Sequence, residues 1–214
     1  MRESTLRRSR VAGREGDAVR VLLVVAHPDA GSFTHACASA AQRGLVAAGH
    51  HVDVLDLHVE GVRAAMSAEE HRAYEGPEPI LDPIIDRHAA LLRQADAVAF
   101  AYPTWWSALP AILKGWLDRV MVPGVAFVFD DRRLVRPGLG HIRHIIGITT
   151  YGSPRAYVRF VNDNGRRILA RTLRLNTGWK ARVSWLALHS IDTSTAAQGE
   201  AHLARIERTM SGLR

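Results

Sequence analysis

Apolar residues fall along the chain in two patterns, short unbroken runs and longer stretches in which they return in steps of three and one. The run at 20–26 carries Val-Leu-Leu-Val-Val and that at 97–102 is also continuous, while 144–150, His-Ile-Ile-Gly-Ile-Thr-Thr, is a further strand that ends in hydroxyls. Such runs are the signature of parallel strands buried on both faces. Stretches 51–57 and 182–188 complete a set of five strands.

Helical periodicity occupies the intervals. It predicts a helix from the end of the first loop to about residue 48, then helices over 80–94, 109–121, 155–176 and 196–210. The stretch 109–121 is the clearest, with Leu109, Ile112, Leu113, Trp116, Leu117, Val120 and Met121 on one face. Thr177-Gly178 closes the helix before it. Residues 58–79, with Gly61, Gly76, Pro77 and Pro79, read as an irregular excursion holding a short helix around 67–74. Val125 to Phe129 form a short apolar element ahead of a charged turn. Strands alternating with helices predict an α/β fold, a flavodoxin-like doubly wound parallel five-stranded sheet in the order 2-1-3-4-5.

In that order the first, third and fourth strands lie side by side, so three loops meet at one sheet edge. The first runs from His27 through Pro28, Gly31, Ser32 and Phe33 to Thr34, and its free N–H groups at a helix start suit an anion. It is neither a P-loop nor a Gly-x-Gly-x-x-Gly turn, and His27 alone reads as a structural residue. The second, from Pro103 through Thr104, Trp105 and Trp106 to Ser107, offers aromatic walls and backbone donors. The third, at 149–157, offers the hydroxyls of Thr149 and Thr150, Gly152 for close approach, and Tyr157. A ligand with phosphate at one end and a ring system at the other satisfies all three. A flavin nucleotide is one such ligand, and purines and peptides also use aromatic-rich edges.

Composition adjusts this picture in three places. With 214 residues, 47% of them hydrophobic, the chain can bury a substantial core as a single domain over 19–214. Residues 1–18, with five arginines and few apolar side chains, read as a disordered tail. The single cysteine, Cys37, excludes an internal disulfide, and the scattered histidines argue against a metal centre. No run is long and apolar enough to span a bilayer and no secretory signal is visible, so a cytoplasmic protein is expected. The net charge of +7 is concentrated in Arg155, Arg159, Arg166, Arg167, Arg171, Arg174, Lys180 and Arg182, which face only Asp163. That segment is open to three readings: a solvated helix face, a site for cofactor phosphates or an acidic partner, or nucleic acid. Without aromatic interleaving or a recognition helix, nucleic acid is the weakest of them.

The same loops carry a resemblance. His27-Pro28 with Ser32-Phe33, then Pro103 to Trp106 leading into Pro110-Ala111-Ile112-Leu113-Lys114-Gly115-Trp116 and Asp118-Arg119-Val120, then Ile148-Thr149-Thr150 with Gly152 and Tyr157, resemble the NAD(P)H:quinone oxidoreductase family over residues 20 to about 160. That family is flavodoxin-like and includes diaphorases, modulators of quinone redox state and flavin-bearing ancillary subunits of potassium efflux systems. The resemblance implies a flavin, FAD ahead of FMN, with NAD(P)H as donor, a quinone-like acceptor and a homodimer. It places His27, Ser32, Phe33 and Thr34 at the flavin phosphate, and Pro103, Thr104, Trp105, Trp106 and Ser107 along the isoalloxazine. Thr149, Thr150 and Gly152 close its other edge, and Tyr157 is the catalytic hydrogen-bond donor. It implies ping-pong turnover at one shared site; the alternative is a flavin-binding regulatory subunit of a membrane transporter or other protein. Two departures concern the acceptor side. Asp163 stands where better-studied members have a proton-relaying histidine, and Phe127 and Phe129 stand where they have tyrosines touching the quinone.

Overall fold

The structure is a computed structural model that describes residues 18–214, so the expectation of a disordered tail concerns residues almost wholly outside it. In chain order the first half contains β1 (Arg20–Val25), α1 (Phe33–Ala47), β2 (His51–Asp56), α2 (Ala68–Ala73), α3 (Pro83–Gln94) and β3 (Ala97–Pro103). The second half contains α4 (Ala111–Val120), β4 (Phe127–Phe129), β5 (Val135–Pro137), β6 (His144–Tyr151), α5 (Arg155–Phe160), α6 (Asn164–Arg167), α7 (Arg174–Asn176), β7 (Arg182–His189) and α8 (Ala196–Ser211). The sheet runs β2-β1-β3-β6-β7 with every pairing parallel. Counting only its own strands, that is the predicted 2-1-3-4-5.

Residues alternate across a strand, and each face of this sheet has its own core. Leu22 and Val24 of β1 join Phe100, Leu113, Trp116 and Leu117 on one face. Val21, Leu23 and Val25 join Leu45, Ile146, Ile206 and Met210 on the other. Every residue of β3 and β6 is buried; β3 is accordingly an unbroken apolar run, whereas β6 also buries His144, Thr149 and Thr150. The apolar face of α4 is spent on this core, leaving Ala111, Lys114 and Asp118 outward.

The excursion after β2 is fastened by buried charge. Arg119 of α4, 2% exposed, lies between Glu70 of α2 and Asp82 at the start of α3, and also donates to the Arg63 carbonyl at 3.0 Å. Burial alone would raise both carboxyls. Hydrogen bonds from the Ser67 N–H and Arg119 to Glu70, and from Arg119 and the Ile84 N–H to Asp82, hold them below the usual carboxylate range instead. Gly115 lets α4 approach this close, since a Cβ there would lie 1.9 Å from the Ala64 carbonyl oxygen.

Buried histidines make the fold acid-sensitive. Trp116 Nε1 donates to His88 Nδ1 at 3.2 Å, which leaves the His88 proton on Nε2, facing Glu60 at 3.6 Å. Burial pushes His88, His144 and His202 below the ordinary value of 6.5. Between the folded and unfolded values the unfolded chain binds more protons, so this stability is complete above pH 6.5 and is lost as pH falls through the folded values. The thermal unfolding midpoint is therefore expected to drop between about pH 7.5 and about pH 5.5, and less so in His88→Gln. A flat profile across that interval would contradict the assignment.

The long basic helix expected over 155–176 is not continuous. It is broken after α5 at Asn162 and Asp163, with left-handed φ of 77° and 42°, and resumes as α6, a π-helical segment Ile168–Leu173 and α7. Asn and Asp are the side chains that tolerate this backbone best. Asp163 then caps α6 by accepting from the Arg166 N–H at 3.4 Å. The run Asn162-Asp163-Asn164-Gly165 carries that turn signal in its own sequence. The apolar element at 125–129 becomes the hairpin β4–β5, whose second strand periodicity did not reveal.

Candidate functional site

The loop after β1 is rigid because its polar groups satisfy one another. His27 Nδ1 accepts from the Asp29 N–H at 3.0 Å, and the Asp29 carboxylate accepts from the Gly31 N–H at 2.8 Å. Ser32 Oγ caps α1 by accepting from the His35 N–H, and His35 Nε2 reaches Asp56 at 2.8 Å. His35 and the His58 and Val59 N–H groups hold Asp56 below its usual range, against a burial effect that would raise it. The Phe33 ring stacks on His202 of α8 and Thr34 is buried, so neither side chain faces the loop's open side. Among the described residues their backbone N–H groups find no acceptor. A helix start leaves such donors free for an anion.

After β3 the chain turns within four residues. Thr104 N–H donates to the Thr150 carbonyl at 2.8 Å, and Trp105 and Ala108 exchange backbone hydrogen bonds at 3.3 and 3.0 Å. Trp106 and Ser107 at the tip are left-handed, with φ of 47° and 57°. Large side chains adopt that backbone only at a cost of about 1–2 kcal/mol each, and such strain concentrates at functional sites. It buys a fully exposed Trp106 ring (100%), and the N–H groups of Trp106 and Ser107 have no acceptor among the described residues. Trp105 lies 5.7 Å from the His27 ring, joining this loop to the first.

At the end of β6, Tyr151 turns inward. Its ring stacks on His189 at 4.7 Å, and its hydroxyl donates to the Asp163 carboxylate at 3.0 Å while accepting from Trp185 Nε1 at 3.3 Å. Burial raises its pKa well above the ordinary phenol value and keeps it protonated. Gly152 is small for a packing reason, since a Cβ there would come within 2.8 Å of Asp192 Oδ2. Tyr157, in α5, is half exposed.

The loops after β3 and β6, with α5 and the turn that follows it, line an open cavity of about 250 Å³. Of the residues singled out from sequence, Thr104, Trp106, Ser107, Gly152 and Tyr157 line it; Tyr151, Ser153, Val158, Val161 and Asp163 complete the lining. Pro103, Thr149 and Thr150 are buried behind it, where the Thr149 hydroxyl pairs with that of Thr104 at 3.0 Å. His27, Ser32, Phe33, Thr34 and Trp105 belong to the adjoining loop surface and do not line the cavity. Phe127 and Phe129 pack edge to face on each other in β4 and line no part of it. Asp163 is legible in the sequence only as a departure, because its pairing with Tyr151 across twelve residues depends on the break in the basic segment.

Residues 19–209 match the family model described as a flavodoxin-like fold. Human ribosyldihydronicotinamide dehydrogenase [quinone] is 31% identical over 171 residues, covering 70% of this chain and 71% of that protein. Of two other curated relatives the chain spans about half, 45% and 56% of their lengths. The NAD(P)H:quinone oxidoreductase structure from Methanothermobacter marburgensis superposes with a TM-score of 0.78 at 28% identity, covering 92% of this chain and 96% of that one. A Bacillus anthracis FMN-dependent NADH-azoreductase solved in complex with FMN has a TM-score of 0.69 at 12% identity, over 90% of this chain and 98% of that one, a likeness of fold alone.

Proposed function

Because the chain belongs to the NAD(P)H:quinone oxidoreductase family, with its flavodoxin-like fold, we propose that it binds a flavin across the three loops. It then passes reducing equivalents from NAD(P)H to a quinone or similar acceptor, the two substrates using one site in turn. The observation that carries this reading is the strained turn at Trp106 and Ser107, which presents an exposed aromatic ring and unpartnered N–H groups at the mouth of the cavity. A bound flavin supplies the hydride chemistry.

The chain's own residues bind and orient. The first-turn N–H groups of α1 receive phosphate, the backbone at 106–107 and Thr104 face the ring system, and Gly152 and Ser153 border its far edge. Thr149 acts from behind by fixing Thr104, and Tyr157 offers its hydroxyl from the rim. Expecting FAD ahead of FMN gains no support from the related folds, one of which holds FMN. The two stand level, and the mass of the cofactor released on denaturation separates them.

The reading includes a homodimer, and two features of the cavity support it. The cavity is small for a cofactor cleft, which commonly runs to about 300–1,000 Å³, and Trp106 on its rim is fully exposed. Phe127 and Phe129 lie outside their own chain's cavity, and in this reading they meet the acceptor bound to a second copy of the chain. No helix among the described residues is long and apolar enough to cross a membrane.

Absorbance spectra and steady-state assays with a naphthoquinone test the reading. Yellow protein with rapid quinone-dependent NAD(P)H oxidation is expected. Yellow protein with negligible turnover moves the assignment to a flavin-binding regulatory subunit, and protein that takes up neither FAD nor FMN overturns it. Trp106→Ala is expected to weaken flavin binding about ten-fold by removing a stacking surface, measured by titrating flavin into apoprotein. Because the ring touches little protein, folding stability should change by less than about 0.5 kcal/mol.

A further inference from the structure

Beside the candidate site lies a second and larger hollow, a groove of about 800 Å³. Its floor is one face of the edge strand β7, with Val183, Trp185, Ala187 and His189 at alternate positions. Seven arginines line it and Asp163 is its single carboxylate. That carboxylate is already engaged by Tyr151 and the cap of α6. None of the seven arginines forms an ion pair with a carboxylate among the described residues. The Arg166 guanidinium lies 5.5 Å from the Trp185 ring and that of Arg174 lies 5.4 Å from Trp179. The groove and the smaller cavity share Tyr151, Val158 and Asp163 as lining.

Like charges gathered in a concavity repel, and a bound anion relieves them. The anion that fits must be polyvalent, carry a flat ring for the indole surfaces, and reach the neighbouring cavity. We propose that this groove holds the adenosine end of the electron donor, with arginines on its diphosphate and 2′-phosphate, so that the protein selects NADPH over NADH. This rests on the oxidoreductase reading above. A single phosphate leaves most of the charge unanswered. A long nucleic acid explains the charge but not the shared wall with the site.

The test uses the flavin-loaded protein and two readouts, one of them independent of turnover. In calorimetric titration, adenosine 2′,5′-bisphosphate is expected to bind at least about ten-fold more tightly than 5′-AMP. The double substitution Arg159→Glu and Arg171→Glu is expected to remove that advantage. The NADPH:NADH ratio of kcat/KM should favour NADPH in the native protein and fall about ten-fold in the double variant, with Arg171→Lys retaining most of it. Should the glutamate variant not fold, raising ionic strength on the native protein must raise KM for NADPH more steeply than for NADH.

Equal affinity for bisphosphate and 5′-AMP, or a kcat/KM ratio near one that does not respond to the substitutions, overturns the groove assignment and leaves the oxidoreductase reading standing. Duplex DNA binding that is lost in the double variant, with no bisphosphate binding, overturns it in favour of nucleic acid. Failure to take up flavin and to oxidise either nucleotide overturns the oxidoreductase reading, and the groove assignment falls with it.

Discussion

Tyr157→Phe is expected to slow flavin reduction by NAD(P)H about 10- to 100-fold while leaving flavin affinity within a factor of two or three. Tyr157 lines the cavity, is half exposed and makes no side-chain hydrogen bond among the described residues, so removing its hydroxyl leaves nothing unsatisfied in the fold. A donor aimed at the position where negative charge develops acts on the transition state more than on binding, and its loss therefore appears in the rate. Stopped-flow absorbance under anaerobic conditions measures that rate, and thermal unfolding of the same variant reports its stability. An unchanged reduction rate in a fully flavin-loaded variant would remove Tyr157 from the chemistry and leave it as one face of the pocket.

The largest loss of stability is expected from Arg119→Ala, on the order of 3–5 kcal/mol by urea denaturation. Removing the guanidinium strips the carboxylates of Glu70 and Asp82 of their hydrogen-bonded ion pair, leaving only the more distant charge of Arg63, and frees the Arg63 carbonyl. The damage should be local as well as large. The excursion at 58–82 is held to α4 by this cluster, so amide hydrogen exchange should accelerate there before it does in β3 or β6. Arg119→Met combined with Glu70→Gln and Asp82→Asn should recover much of the loss, because the cost lies in the stranded charges. A single variant destabilised by less than about 1 kcal/mol would show the cluster to be well solvated.

The sheet was legible because burial on both faces writes itself as unbroken apolar runs, and β1 and β3 contain such runs. The convergence of three loops followed from strand order, and five of the residues named from those loops line the cavity. Other features were not local. Arg119 reads as a charge on an amphipathic helix until the excursion folds back and supplies Glu70 and Asp82. The Phe33 ring packs on His202 of α8, far along the chain, which no local pattern foretells. The break at Asn162 and Asp163 was written in a turn signature, yet helical periodicity on either side masked it. Where two local signals overlapped, the capping and turn chemistry decided.

That break also sets the curvature of the charged surface. On one straight helix the arginines at 155, 159, 166, 167, 171 and 174 would fan outward over an arc of about 160° at about 100° per residue, each pointing into its own volume of water. Folded into short segments along the edge of the sheet, the same side chains bend around a hollow, and a hollow with low-dielectric walls concentrates a field that a convex surface disperses. The left-handed pair Asn162-Asp163 thus changes a divergent array of charges into a convergent one, with no change in charge at all.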